Sequence, residues 1–135
     1  MKYVTHHRFR ELALCGEQLN LPYGTELECA GETLITPEGK AVCYRRSENA
    51  KQHFARNDDG RGLERGRLTH AIAYSGRNAG NGFRFSEEER KTLTRDWGHF
   101  LRPDLDFIQF NDDFFSAGPE ELQRLADVLN IKVRR

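Results

Sequence analysis

Fourteen residues from Asn57 to His70, "NDDGRGLERGRLTH", hold two adjacent aspartates, three glycines and three arginines. These are the parts of a phosphate site. The start of a helix presents unpaired amide donors and a positive dipole end. Gly60 and Gly62 would let backbone approach an anion closely, and Arg56, Arg61 and Arg65 could converge on it with forked guanidinium donors. Asp58 and Asp59 would then take a ribose hydroxyl or a base edge. The competing reading is structural. Asp58 or Asp59 caps a helix, Gly60 sits at positive φ, and Arg61, Glu64 and Arg67 pair along the helix surface. Neither G-x-x-x-x-G-K-[ST] nor G-x-G-x-x-G is present, so the spacing alone does not choose.

Other chemistry finds less support. His53 and His70 flank the stretch and could serve as acid and base on a phosphate ester. The bland alternative is two imidazoles bonded to neighbours on helix faces. No H-E-x-x-H, Cys/His zinc pattern or G-x-S-x-G elbow occurs among the five histidines, three cysteines and the serines. "NDD" recurs at Asn111 to Asp113, and two such clusters could meet around a divalent cation. Adjacent acids diverge, however, and short Asn-Asp runs favour turns, so neither a metal nor a cofactor is expected. Trp97, Phe107, Phe110, Phe114 and Phe115 could form a stacking platform for bases, but core packing is the commoner use.

Composition narrows the class. Lys+Arg and Asp+Glu both count 21, which argues against a general nucleic-acid binder. Arginine outnumbers lysine sixteen to five, a bias that favours carboxylate or phosphate recognition. Cys15, Cys29 and Cys43 lie in strand-like stretches, an odd and widely spaced set that reads as reduced thiols in a core. With no apolar run near 18 residues and a charged start, the expectation is a cytoplasmic chain without a membrane span.

The elements that must position these residues change character near residue 46. Up to there, "KYVTHHRF", "LALCG", "TELECAG" and "ETLITPEGKAVCYR" carry strand signals with glycine and proline turns between them. They predict a small antiparallel sheet or partial barrel. Residues 47–135 read as about four helices. Ser47 caps "SENAKQHFARN", with Ala50 and Phe54 on one face. A second helix runs from about Gly62 to Ser75 with Leu68, Ala71 and Ile72 inward, and "SGRNAGNG" follows as a loop. Ser86 and Glu89 form a capping box for a third, whose stripe is Leu93, Trp97, Phe100 and Leu101. "DFIQFNDDFF" predicts a strand or an irregular packed loop. Pro119 opens the last helix, with Leu122, Leu125, Ala126 and Leu129 on its apolar face. The whole predicts a single α+β domain over residues 1–135.

The run "SENAKQHFARNDDGRGLERGRLTHAI", with "MKYVTHHRFRELALCGE" before it and "NDDFFSAGPEELQRLADVL" after it, resembles a family of small uncharacterised proteins of phages and prophages of Firmicutes. The likeness spans most of the chain and is weakest from Arg77 to Pro103. The family has no settled activity, so no catalytic residue carries over. The resemblance implies a setting: a phage-encoded accessory protein in the host cytoplasm, of a kind that often counters host defence. Three functions follow as expectations. The first is sequestration of a phosphate-bearing nucleotide signal at Arg56, Asp58, Asp59, Gly60, Arg61, Gly62 and Arg65, in a homo-oligomer whose copies enclose the ligand. The second is inhibition of a host defence protein through an apolar patch of the phenylalanines after Asp106. The third is a nucleotide phosphodiesterase using His53 or His70.

Overall fold

The computed structural model describes residues 1–74, 85–102 and 109–133. The fold is α+β, a curled antiparallel sheet of half-barrel form followed by helices. The chain divides into two compact units, 1–66 and 67–135, and the division falls within a helix rather than at the strand-to-helix change near residue 46.

The first unit contains β1 (Lys2–Thr5), β2 (Phe9–Leu12), β3 (Gln18–Leu21), β4 (Glu26–Ala30), β5 (Thr33–Ile35), β6 (Ala41–Tyr44), α1 (Glu48–His53) and β7 (Phe54–Arg56). Five strands pair antiparallel in the order β6-β5-β4-β1-β7, and β2 and β3 form a separate hairpin. The register sets the core. Tyr3 lies opposite Leu27 on one side and Arg56 on the other, and Leu34 lies opposite both Cys29 and Cys43. Tyr3, Leu27, Leu34 and Val42 bury their side chains together with Phe9 and Phe54. The outer edge of β6 does not stay open: the N–H groups of Leu14 and Cys15 donate to the carbonyls of Val42 and Ala41.

Three sequence expectations need correction here. "KYVTHHRF" is not one strand; it breaks after Thr5, and Phe9 starts a second. The cysteines are not a uniform core set: Cys15 is exposed in a turn, Cys29 half-buried and Cys43 buried. The helix capped by Ser47, whose Oγ accepts from the Ala50 N–H, ends at His53 instead of Asn57. Phe54 and Ala55 enter a strand opposite Thr5 and Val4. Successive strand residues point to opposite faces, so both become buried, each 4% exposed. A further turn of this short helix would forgo the pairing with β1.

α2 (Gly62–Ala73) carries the chain into the second unit, which also holds α3 (Glu87–Asp96), a 3-10 turn (Gly98–Phe100), α4 (Asp112–Phe115) and α5 (Pro119–Val128). The Ser86–Glu89 capping box is present with both of its hydrogen bonds. Leu93, Trp97 and Phe100 are buried and Leu101 half-buried, but α3 stops at Asp96, so the rest of the stripe lies beyond the helix. Pro119 opens α5, and Leu122, Leu125, Ala126 and Leu129 are buried as their spacing requires. Leu68 and Ile72 are buried while Ala71 is only half so. Within "NDDFF", Asp112–Phe115 form the short helix α4 instead of a strand or an irregular loop, capped by the Asn111 side chain, which accepts from the Phe114 N–H. The loop "SGRNAGNG", the end of the second helix at Ser75, and Phe107 lie outside the described residues. Among the described residues no helix is long and apolar enough to cross a membrane.

Candidate functional site

The chain leaves β7 at Arg56 and turns through Asn57 to Arg61 before α2 begins. Gly60 has φ +74°, and its N–H donates to the Asn57 carbonyl at 3.1 Å. Side chains then serve the amides at the start of the helix. Asn57 Oδ1 accepts from the Gly62 N–H at 2.8 Å, and Asp59 Oδ1 accepts from the Arg61 N–H at 3.0 Å. The capping therefore falls to Asn57 and Asp59, not to Asp58. Gly62 has a packing role: a Cβ there would lie 2.5 Å from Val4 Cγ1 and 2.9 Å from the Arg56 carbonyl oxygen. The helix start is pressed against β1 and β7 at that point.

Each of the three arginines singled out as phosphate ligands faces a carboxylate. Arg56 donates through Nε and Nη2 to Asp58 Oδ2, and Asp58 Oδ1 also accepts the backbone N–H of Lys2 at 2.7 Å. Arg61 donates through Nε and Nη2 to Glu64 at 3.0 to 3.1 Å. Arg65 is only 6% exposed; its Nη2 donates to Asp59 Oδ2 at 2.6 Å, and its Nη1 to Asp59 Oδ1 at 3.3 Å and to the Arg56 carbonyl. The Arg65 guanidinium, more than any other group, holds the Asp59 carboxyl down at about 2. The Lys2 N–H, then Arg56, lowers that of Asp58. The Asp59 carboxylate thus occupies the position between a guanidinium and a helix-opening amide that a phosphate would be expected to take.

His53 is buried, 7% exposed, at the end of α1. Its Nδ1 lies 3.1 Å from the His7 carbonyl oxygen and its Nε2 4.0 Å from Glu11 Oε1. The His7 ring lies 5.3 Å away, and Phe9 meets it edge-on at 5.3 Å. Backbone N–H groups of His6 and His7 both donate to the His53 carbonyl. The His6 ring is packed on α2 so closely that a Cβ on Gly66 would fall 2.2 Å from its Cγ. His6, His7 and Glu11 are the groups around His53 that the sequence reading missed. His53 is 46 residues from His7, and no local signal marks that pairing. His70 belongs to the second unit, half-buried, with its ring 5.7 Å from that of Tyr74.

The second "NDD" is a helix opening, with Asn111 as cap and Asp112 and Asp113 in the first turn of α4. Among the described residues no group of three or more His, Cys, Asp or Glu side chains could hold a metal ion. Trp97, Phe110 and Phe114 are buried in the core of the second unit, with the Phe110 and Phe114 rings stacked at 4.2 Å. They are neither a platform for bases nor an exposed patch. In the first unit a shallow pocket of about 240 Å³ opens beside Lys2, Tyr3, Glu26, Glu28, Pro37 and Asn57. Two carboxylates against one ammonium make it a poor receptor for a phosphate.

Comparison with protein-family models, curated proteins and solved structures finds no match. Function therefore rests on the side chains. In the first unit Met1, Leu12, Leu14, Tyr23 and Tyr44 are the exposed large apolar side chains; Leu12 is 67% and Leu14 48% exposed, on either side of buried Ala13.

Proposed function

We propose that this chain is a binding protein without chemistry of its own: a phage-encoded accessory protein of the bacterial cytoplasm that counters host defence by docking on a host defence protein. The observation that supports this reading is the state of the Asn57–Arg65 stretch. Arg56, Arg61 and Arg65 are paired with Asp58, Glu64 and Asp59, and Asn57 and Asp59 cap the amides at the helix start. A nucleotide phosphate would have to displace Asp59 from Arg65 before binding. Leu12 and Leu14 supply apolar surface of the kind that protein partners cover.

The test has two arms. The purified chain is mixed with single purified host defence enzymes, with no small ligand added, and complex formation is read by sizing with light scattering. A stoichiometric complex that Leu12→Asp and Leu14→Asp abolish, in variants that still fold, is the expected result. In parallel, thermal shift is measured against cyclic di- and trinucleotides, ADP-ribose derivatives and plain nucleotides, and each ligand is checked afterwards. A large shift with intact ligand and no protein complex would replace docking with nucleotide sequestration. A shift with consumed ligand would indicate a phosphodiesterase.

A further inference from the structure

The register of the β2–β3 hairpin decides which backbone groups face outward. Ala13 donates its N–H to the Glu17 carbonyl, and residue pairs in an antiparallel ladder alternate between hydrogen-bonded and non-bonded. Glu11–Leu19 and Phe9–Leu21 are then the bonded pairs. Gln18 and Asn20, which lie opposite Leu12 and Arg10, turn their N–H and C=O groups to the far side of β3. Both residues are exposed, β3 pairs with β2 alone, and among the described residues no group bonds to those amides and carbonyls. An open edge is a template for another strand, and charged side chains are a common way of blunting it. β3 reads "QLNL" and carries no charge.

We propose that this edge is a self-association site, where a second copy of the chain adds its own β3 antiparallel to the first. The edge is self-complementary. A two-fold axis at Leu19 sets Gln18 against Asn20 of the second copy and Asn20 against its Gln18, so each outward N–H meets an outward carbonyl. The two Leu19 residues face each other as a non-bonded pair, about 4.5 Å apart between Cα atoms. Glu17, the charge next to the strand, falls opposite Leu21 of the second copy and not against itself. Self-association through β3 stands whether or not Leu12 and Leu14 dock on a host protein.

Sedimentation velocity over a concentration series tests the site on the full chain. The wild-type protein should form a dimer that dissociates on dilution. Asn20→Pro removes an outward N–H and spares the bonds to β2, and should raise the dissociation constant by about tenfold or more, since symmetry deletes the bond twice. Gln18→Lys with Asn20→Lys opposes like charges across the axis and should give a monomer, as should Gln18→Glu with Asn20→Glu. Mixing the two charged double variants should restore a dimer containing one copy of each. A wild-type chain that stays monomeric at its highest soluble concentration would overturn the proposal. So would a dimer that persists in the charged double variants, because its interface would lie elsewhere.

Discussion

Asp59 and Arg65 form the central contact of the Asn57–Arg67 stretch: Oδ2 and Nη2 lie 2.6 Å apart, with the Arg65 side chain 7% and the Asp59 side chain 46% exposed. The arginine is buried, and it donates to the Arg56 carbonyl as well as to Asp59. The acid keeps one side in water.

Asp59→Asn should cost about 1 kcal/mol at neutral pH, a figure kept low because the carboxylate is partly solvated. The folded value of about 2 lies below the ordinary carboxylate range. The stabilisation is therefore complete above roughly pH 4 and fades as pH falls toward 2. Urea midpoints at pH 7 and pH 2.5 should differ more for the wild-type chain than for Asp59→Asn. Equal pH dependence in the two would place the pair's energy elsewhere.

Asp59→Gly should turn the helix opening into a receptor for inorganic phosphate. It removes the carboxylate to which the Arg65 guanidinium and the Arg61 N–H donate, without adding a side chain. Mass action then stabilises the variant by about 2.7 kcal/mol at a hundredfold excess over the dissociation constant. The wild-type melting temperature should not respond to phosphate. A wild-type response as large as the variant's would show that Asp59 does not block the site.

Gly66→Ala should destabilise, against the ordinary preference. In a helix interior Ala gains about 1 kcal/mol over Gly. Here the new Cβ meets the His6 ring at 2.2 to 2.4 Å, and overpacking of that kind costs roughly 1–3 kcal/mol. A double-mutant cycle with His6→Gly, which also removes the His6 Cβ that lies 2.4 Å from the new methyl, should recover much of the loss by urea denaturation. An additive cycle would mean that the ring moves aside freely.

Thiol labelling of the native protein should separate the cysteines. Cys15 is exposed and should react first; Cys43 is buried, and that burial pushes its thiol up to about 11, so it should react only on unfolding. Mass mapping of timed samples reads the order directly. Early modification of Cys43 would show that β6 opens locally.

Asn111→Ala should cost about 1 kcal/mol, because Asn111 both caps α4 and donates through Nδ2 to the His99 carbonyl at 2.9 Å. Asn111→Asp keeps the acceptor and loses the donor, so its melting temperature should fall between the two. A value equal to that of Asn111→Ala would assign the effect to the His99 bond.

Much of the architecture is written locally. Ser47 and Ser86 cap helices, Gly60 takes the positive φ of a turn, Pro119 opens α5, and the spacing of Leu122, Leu125, Ala126 and Leu129 marks its buried face. Each depends on residues within about one helical turn, so the sequence by itself determines them. It also specifies which charges crowd the Asn57–His70 stretch.

Only the tertiary structure decided what those charges do. Phe54 carries helix spacing from Ala50 yet becomes a strand residue, because β1 offers backbone partners and burial that a longer α1 would not. Gly62 reads as an opening for a ligand, but Val4 fills the space above it. Arg65 reads as a free cation and is instead enclosed by Asp59 and the carbonyl of Arg56. Hydrogen-bonding capacity is a property of the residue type; whether it points outward or is spent within the chain is set by what the fold brings alongside it.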